Sequence, residues 1–320
     1  MADDNKASEK ASADKADLPW ESYSPFEREL FFRSMLTRIN NKIETPPSAI
    51  FHYTSPEVFA KIVRTCKFRL SNAGYLNDQG ELTYPVQVAR FALRKVYHEL
   101  KDDSLGDFFE ETARTLDSHA LFKSWFVASF SLRGDLLSQW RAYCPRGGYS
   151  IGLRGERVVD LLKTGGYEFN AVVYDLNEQV KIVRGQIERH VALWRDLRSK
   201  YGDVGVDEYD RAVARNLSVR LSEEFVFFKS EAFAEENEWR LVKYLFPVDS
   251  VGFFERQGIL TPYVEISLAE PDGRLPLEHV YVSPLADPEL AEHSARLVLE
   301  FNKHTDAWKV VSSPSYRLRF

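Results

Sequence analysis

The placement of strand-forming segments constrains this chain more than any other feature. They fall in two blocks, with a long helical stretch from about 177 to 228 between them. The first block holds Ile50–Tyr53, Lys67–Leu70, Phe126–Ser131, Tyr149–Leu153 and Tyr167–Tyr174, each a short run containing β-branched or aromatic residues. The second holds Trp239–Phe246, Pro262–Leu268, His279–Val282 and Trp308–Val311. Strict strand–helix alternation would predict a doubly wound parallel sheet. Blocks of strands with helices inserted between them predict an α+β fold with a mixed or antiparallel sheet.

Helical periodicity fills the intervals. Phe26, Leu30, Phe31, Met35, Leu36 and Ile39 recur at helical spacing ahead of Pro46–Pro47. Ser55 followed by Pro56 predicts a capped helix start, with Phe59, Ile62 and Val63 on the buried side. Glu81–Leu121 reads as helix interrupted near Ser104–Gly106, Leu136–Tyr143 as a short helix, and Pro288–Asn302 as a late one. Residues 177–201 and 208–228 read as two long helices, and Ser71–Gly80 as a polar loop. No internal repeat or Gly/Ser/Pro-rich linker interrupts residues 20–320, which predicts one α+β domain behind a disordered tail over residues 1–19.

The chemistry is bounded by what the chain lacks. It carries no Walker loop, no Gly-x-Gly-x-x-Gly, no Gly-x-Ser-x-Gly and no His-Glu-x-x-His. The seven histidines are scattered, and Cys66 and Cys144 stand alone, so no metal site is expected. Two thiols in such a length suit a reducing compartment, and no apolar run approaches the roughly 20 residues that span a bilayer. The expectation is a cytoplasmic protein without a membrane partner. A near balance of 42 Lys+Arg against 48 Asp+Glu gives no global electrostatic reason to bind nucleic acid.

Three segments hold polar groups where the pattern expects core. In Phe51-His52-Tyr53-Thr54-Ser55, a strand-to-helix turn aims side chains and backbone amides at one point. The alternative is a core histidine beside an ordinary helix cap. In Ser129–Gly148, Trp140 and Tyr143 stand three apart on a short helix, where they serve either as a stacking surface or as core. In Glu235–Val242, acidic residues lead into an apolar strand, and Glu238 abuts the apolar run while Glu235 reads as solvated loop.

Together these segments resemble the bacterial family catalogued as the domain of unknown function numbered 2971, over about residues 50–320. The carriers are Phe51–Thr54, Arg69–Asn72, Leu76–Asp78 with Glu81, Ser129–Ser131, Asp135, Trp140, Tyr143, Gly148 and Ile151. Lys229, Glu236, Glu238, Arg240, Ser283–Pro284, Ser313 and Arg317 complete the set.

The order of parts is also similar to the His-Tyr-Glu class of ADP-ribosyltransferases. There a His-Gly-Thr/Ser strand, a Tyr that stacks on nicotinamide and a late Glu form the NAD site. That resemblance implies NAD as substrate, with His52, Tyr143 and Glu238 catalytic. It implies Tyr53, Thr54, Ser129, Ser131 and Arg141, together with His52 and Tyr143, as NAD-binding, Glu236 nearby and no metal. Tyr53 replaces the Gly of that class. The resemblance further implies a bacterial defence or toxin-type effector that transfers ADP-ribose to an unidentified acceptor or to water. Two other readings remain open: a binding module without turnover, and a metal-dependent hydrolase using Asp78, Glu81 and Glu238.

Overall fold

Ser55 and Pro56 start a helix as their chemistry dictates. The Ser55 side chain accepts from the Val58 amide at 3.3 Å, and Pro56 takes the first helical position. This computed structural model describes residues 43–46, 48–75, 80–116, 122, 124–202, 206–245, 251–256, 258–304 and 310–313. The tail over 1–19, the helix expected at Phe26–Ile39, Leu76–Asp78, the side chain of Glu81 and Arg317 lie outside the described residues.

The strands are β1 (Ala49–Thr54), β2 (Lys67–Asn72), β3 (Trp125–Ser131), β4 (Tyr149–Arg154) and β5 (Tyr167–Ala171), followed by β6 (Glu238–Tyr244), β7 (Gly252–Arg256), β8 (Ile259–Ser267), β9 (Leu277–Val282) and β10 (Val310–Ser312). The helices are α1 (Pro56–Thr65), α2 (Gly80–Leu100), α3 (Gly106–Thr115), α4 (Leu137–Tyr143), α5 (Gly155–Leu162), α6 (Leu176–Tyr201), α7 (Val206–Phe225) and α8 (Pro288–Phe301). A 3-10 turn at Asp103–Leu105 makes the break expected near Ser104. Ser71 and Asn72 extend β2 into what reads as loop, whereas α5 and β7 have no counterpart in the sequence reading.

The strands join one mixed sheet in which, among the described residues, only the β9–β10 strand pair is parallel. The α+β architecture expected from the two strand blocks is therefore the one observed. Helices cover both faces. On one, Phe59, Ile62 and Val63 of α1, Val158 and Leu162 of α5, and Leu299 of α8 pack on Ile50, Phe68, Phe130 and Leu241. On the other, α2, α3, α6 and α7 bury Leu93, Phe108, Ile187 and Leu217 against Val127 and Val242.

The sheet forks at β3. Its edge toward β6 is paired along its whole length, from Trp125↔Tyr244 to Ser131↔Glu238. Its other edge is shared. β1 meets it only at Phe51↔Ser131, and β2 only at Ser71↔Val127 and Asn72↔Phe126. Between these points β1 and β2 diverge, because α1 connects the end of one to the start of the other. Ala128–Phe130 are left without a ladder partner on that edge among the described residues.

Candidate functional site

A cavity of about 370 Å³ opens at this fork. β1 supplies His52, Thr54 and the following Ser55, β3 supplies Ser129 and Ser131, α4 supplies Gln139 and Tyr143, and the entry to β6 supplies Glu236 and Glu238. The opposite wall comes from α1, β2, β7 and β8, with Lys61, Lys67, Arg69, Ser71, Phe254, Arg256 and Glu265.

Strand alternation sends neighbouring residues of β1 to opposite faces. His52 packs against both Phe68 and Phe130, with ring centroids at 5.4 and 5.6 Å. Its Nδ1 lies 3.1 Å from the Ser129 carbonyl, where it substitutes for the missing ladder bond. A carbonyl only accepts, so Nδ1 carries the proton and Nε2 remains an acceptor. Burial holds the imidazole below its ordinary value against the opposing pull of that carbonyl, so His52 is neutral.

Tyr53 points the other way. Its ring packs edge-on against Trp140 at 4.7 Å, and its hydroxyl donates to the Arg133 carbonyl at 2.6 Å while accepting from the Leu136 amide at 2.9 Å. The phenol therefore pins the β3–α4 turn onto β1, while Tyr53 also contributes to the cavity wall. Thr54 accepts, through its carbonyl, a bond from Cys144 Sγ at 3.3 Å. Burial pushes the Cys144 thiol up to about 12, and Cys66 is raised by burial as well, so neither is poised as a nucleophile.

The turn that follows Cys144 is built around Gly148. A Cβ there would overlap the Thr54 carbonyl oxygen and lie 2.9 Å from Cys144 Sγ. Gly148→Ala should therefore destabilise the protein by about 1–3 kcal/mol, because a backbone carbonyl cannot rotate away as a side-chain tip can. A shift of the urea midpoint measures it.

Trp140 and Tyr143 separate despite their shared helix. Trp140 is fully buried and donates from Nε1 to Asp135 Oδ1 at 2.7 Å, whereas Tyr143 is 38% exposed at the cavity rim. Arg141 lies exposed on α4 and is not among the residues that line the cavity.

Glu238 opens β6 and is the hub of a buried ionic cluster. Arg240 donates to it from Nε at 2.8 Å and from Nη2 at 3.2 Å, and Lys229 Nζ reaches it at 3.0 Å. Lys229 Nζ also binds Glu236 at 2.6 Å. Burial opposes the charge on Glu238, but the Arg240 and Lys229 cations, with the Ser129 hydroxyl, overcome it and bring the carboxyl down to about 2. Asn237, in the left-handed region at φ 45°, lets the residues on both sides of it reach the cavity. Both carboxylates line the cavity, whereas Lys229 and Arg240 do not.

The cluster is tied to the helical layer. Arg240 Nη1 donates to the Val226 carbonyl at 2.8 Å, Gln179 Nε2 to the Lys229 carbonyl at 2.9 Å, and the Glu238 amide to the Tyr174 hydroxyl at 2.9 Å. Lys229 and Arg240 lie outside the site expected from the sequence. One signal was available: Glu238 and Arg240, two apart on a strand, must share a face. Lys61, Lys67, Arg69 and Glu265 went unassigned too, although Lys67, Arg69 and Ser71 also alternate.

Among the described residues, no group of three His, Cys, Asp or Glu could hold a metal ion, and no helix is long and apolar enough to cross a membrane. The model of a family described as protein of unknown function (DUF2971) matches residues 139–241. No curated protein and no solved structure matches the chain. The match is shorter than the likeness read over about 50–320. It holds Tyr143 and the whole Lys229–Glu236–Glu238–Arg240 cluster, and leaves out His52, Thr54, Ser129 and Ser131. The likeness to ADP-ribosyltransferases rests on the order of site residues alone.

Proposed function

We propose that the forked cleft binds NAD and supports cleavage of its nicotinamide–ribose bond, with ADP-ribose passed to an acceptor or to water. The observation that carries this reading is convergence. His52, Thr54, Ser129, Ser131, Tyr143 and Glu238 come from three distant segments and line one cavity, whose volume falls within the range of small-molecule sites.

When the bond breaks, its electron pair leaves with nicotinamide and the sugar becomes cationic until an oxygen of water or acceptor attacks it. Charge that develops in the transition state is best met by groups already oriented and ionised. Glu238 and Glu236 both line the cavity, and the Arg240 and Lys229 cations hold Glu238 ionised, so no proton has to leave it before it acts. Tyr143 offers a ring face at the rim, and Thr54 and the acceptor Nε2 of His52 offer polar anchors.

A specific observation favours a second reading, nucleotide binding without turnover. Both oxygens of Glu238 already accept from cations, which reduces the field it presents to a ligand.

The test is release of labelled nicotinamide from NAD by the full chain and by Glu238→Gln, with the fold of each checked by circular dichroism. Turnover that falls by about 100- to 1000-fold in the folded variant is the expected result. Protection of the protein against heat by NAD, without release, favours the second reading. Neither release nor protection removes NAD from the cleft.

A further inference from the structure

The wall opposite Glu238 carries an excess of positive charge that nicotinamide chemistry does not use. Lys67 and Arg69 alternate along β2, and Lys61 reaches the same point from α1. All three converge on one carboxylate of β8. Glu265 Oε1 lies 3.3 Å from Lys61 Nζ and 3.7 Å from Arg69 Nε, and Oε2 lies 3.5 Å from Lys67 Nζ. Arg256 of β7 lines the same wall. Three cations thus share the Glu265 carboxylate, and Arg256 adds a fourth positive charge to the same wall, in a chain whose net charge is -6.

Arg69 is fixed in place by stacking. Its guanidinium carbon stands 4.2 Å from the centroid of the Tyr263 ring and 5.5 Å from that of Phe254. Its Nε is buried with no hydrogen-bond partner, the Glu265 oxygen at 3.7 Å being too far to accept. A donor held rigid, desolvated and unsatisfied beside two flexible ammonium groups matches an oxyanion with several acceptor oxygens.

We propose that Lys61, Lys67, Arg69 and Arg256 form a subsite for a phosphate or diphosphate group of a small-molecule ligand. The assignment rests on the reading of the cleft as a nucleotide site and adds to it where the anionic part of the ligand lies. The cavity volume of about 370 Å³ and the acidic net charge favour a small ligand over a nucleic acid strand.

Calorimetric titration of the full chain with inorganic pyrophosphate, orthophosphate, ADP and adenosine tests the subsite, beside the variants Lys67→Ala and Arg69→Gln. ADP is expected to bind more tightly than adenosine. Each variant should weaken pyrophosphate and ADP by about tenfold and leave adenosine unchanged. Pyrophosphate tighter than orthophosphate assigns a diphosphate, and equal affinity assigns a lone phosphate.

ADP bound no better than adenosine, or variants that bind pyrophosphate as the parent chain does, would overturn the proposal. So would an oligonucleotide that displaces pyrophosphate at lower concentration than ADP does. Lys67 is about half exposed, so its truncation leaves the fold intact and keeps the test valid if Arg69→Gln misfolds. Absence of nicotinamide release with pyrophosphate binding intact would remove NAD cleavage and leave the subsite standing. NAD cleavage with an unchanged KM in both variants would do the reverse.

Discussion

Replacing Arg240 by methionine is expected to lower the stability of the protein by about 3–5 kcal/mol, the usual cost of removing one partner from a buried ion pair. Arg240 is 2% exposed and donates twice to Glu238 and once to the Val226 carbonyl. Methionine fills part of the volume but leaves Glu238 with Lys229 as its remaining cation. The urea midpoint should fall at unchanged slope. Adding Glu238→Gln to the same chain should recover part of the loss, since the uncompensated charge, more than the missing bonds, carries the cost.

Glu238 titrates at about 2 in the folded protein against an ordinary value of 4.5, so its contribution to stability is complete above the ordinary value. It is lost as the pH falls from there through the folded value. Arg240→Met takes away one of the two cations that depress it, so acid unfolding should begin at higher pH than in the parent chain. A midpoint within about 1 kcal/mol of the parent, with an unmoved acid limb, would mean that Arg240 is not what holds Glu238 ionised.

The same cluster explains why the helical stretch at 177–228 sits where it does. Lys229 lies four residues beyond the end of α7, its carbonyl is held by Gln179 of α6, and Arg240 reaches back to Val226, the first residue after that helix. The helices therefore do more than cover one face of the sheet. They lead into the segment whose ammonium group, Lys229, holds the two carboxylates in the wall of the cleft.

Local signals were readable where a few adjacent residues decide the outcome. Ser55–Pro56 set the start of α1, and the periodicity of Phe59, Ile62 and Val63 set its buried side. α5 escaped because it follows β4 without a break and has no side-chain cap at Arg154. β7 escaped because its five residues alternate only between half-buried and exposed, which leaves no apolar contrast. The consequence of Tyr53 was readable in principle, since a residue next to His52 on a strand must face away from it.

The fork was not readable. It depends on β1 and β2 competing for one edge of β3, a pairing between segments far apart in sequence. The sequence placed Glu238 at a strand start but could not bring Lys229 to it, because a connecting segment between helix and strand makes that approach. The candidate site was thus legible as a set of segments and illegible as an electrostatic arrangement.

Trp140 carries the second large effect. It is fully buried in a small cluster with Phe51, Tyr53, Leu136 and Cys144, which has few neighbours able to collapse into a void. Trp140→Ala should cost about 3–5 kcal/mol, from lost burial and the cavity left behind. The site should suffer as well, because Tyr53 leans on this ring while its hydroxyl holds the turn into α4, and Tyr143 ends that helix. Trp140→Phe keeps a ring in the cluster and loses the bond to Asp135, which still accepts from the Ser313 hydroxyl at 2.6 Å. Its cost should be about 1–3 kcal/mol. Denaturation midpoints, read beside ADP affinity, separate the two roles: the alanine variant should lose both and the phenylalanine variant mainly stability. An alanine variant as stable as the parent would mean that the β1–α4 contact does not hold the cleft, and that Tyr143 is positioned by the rest of its helix.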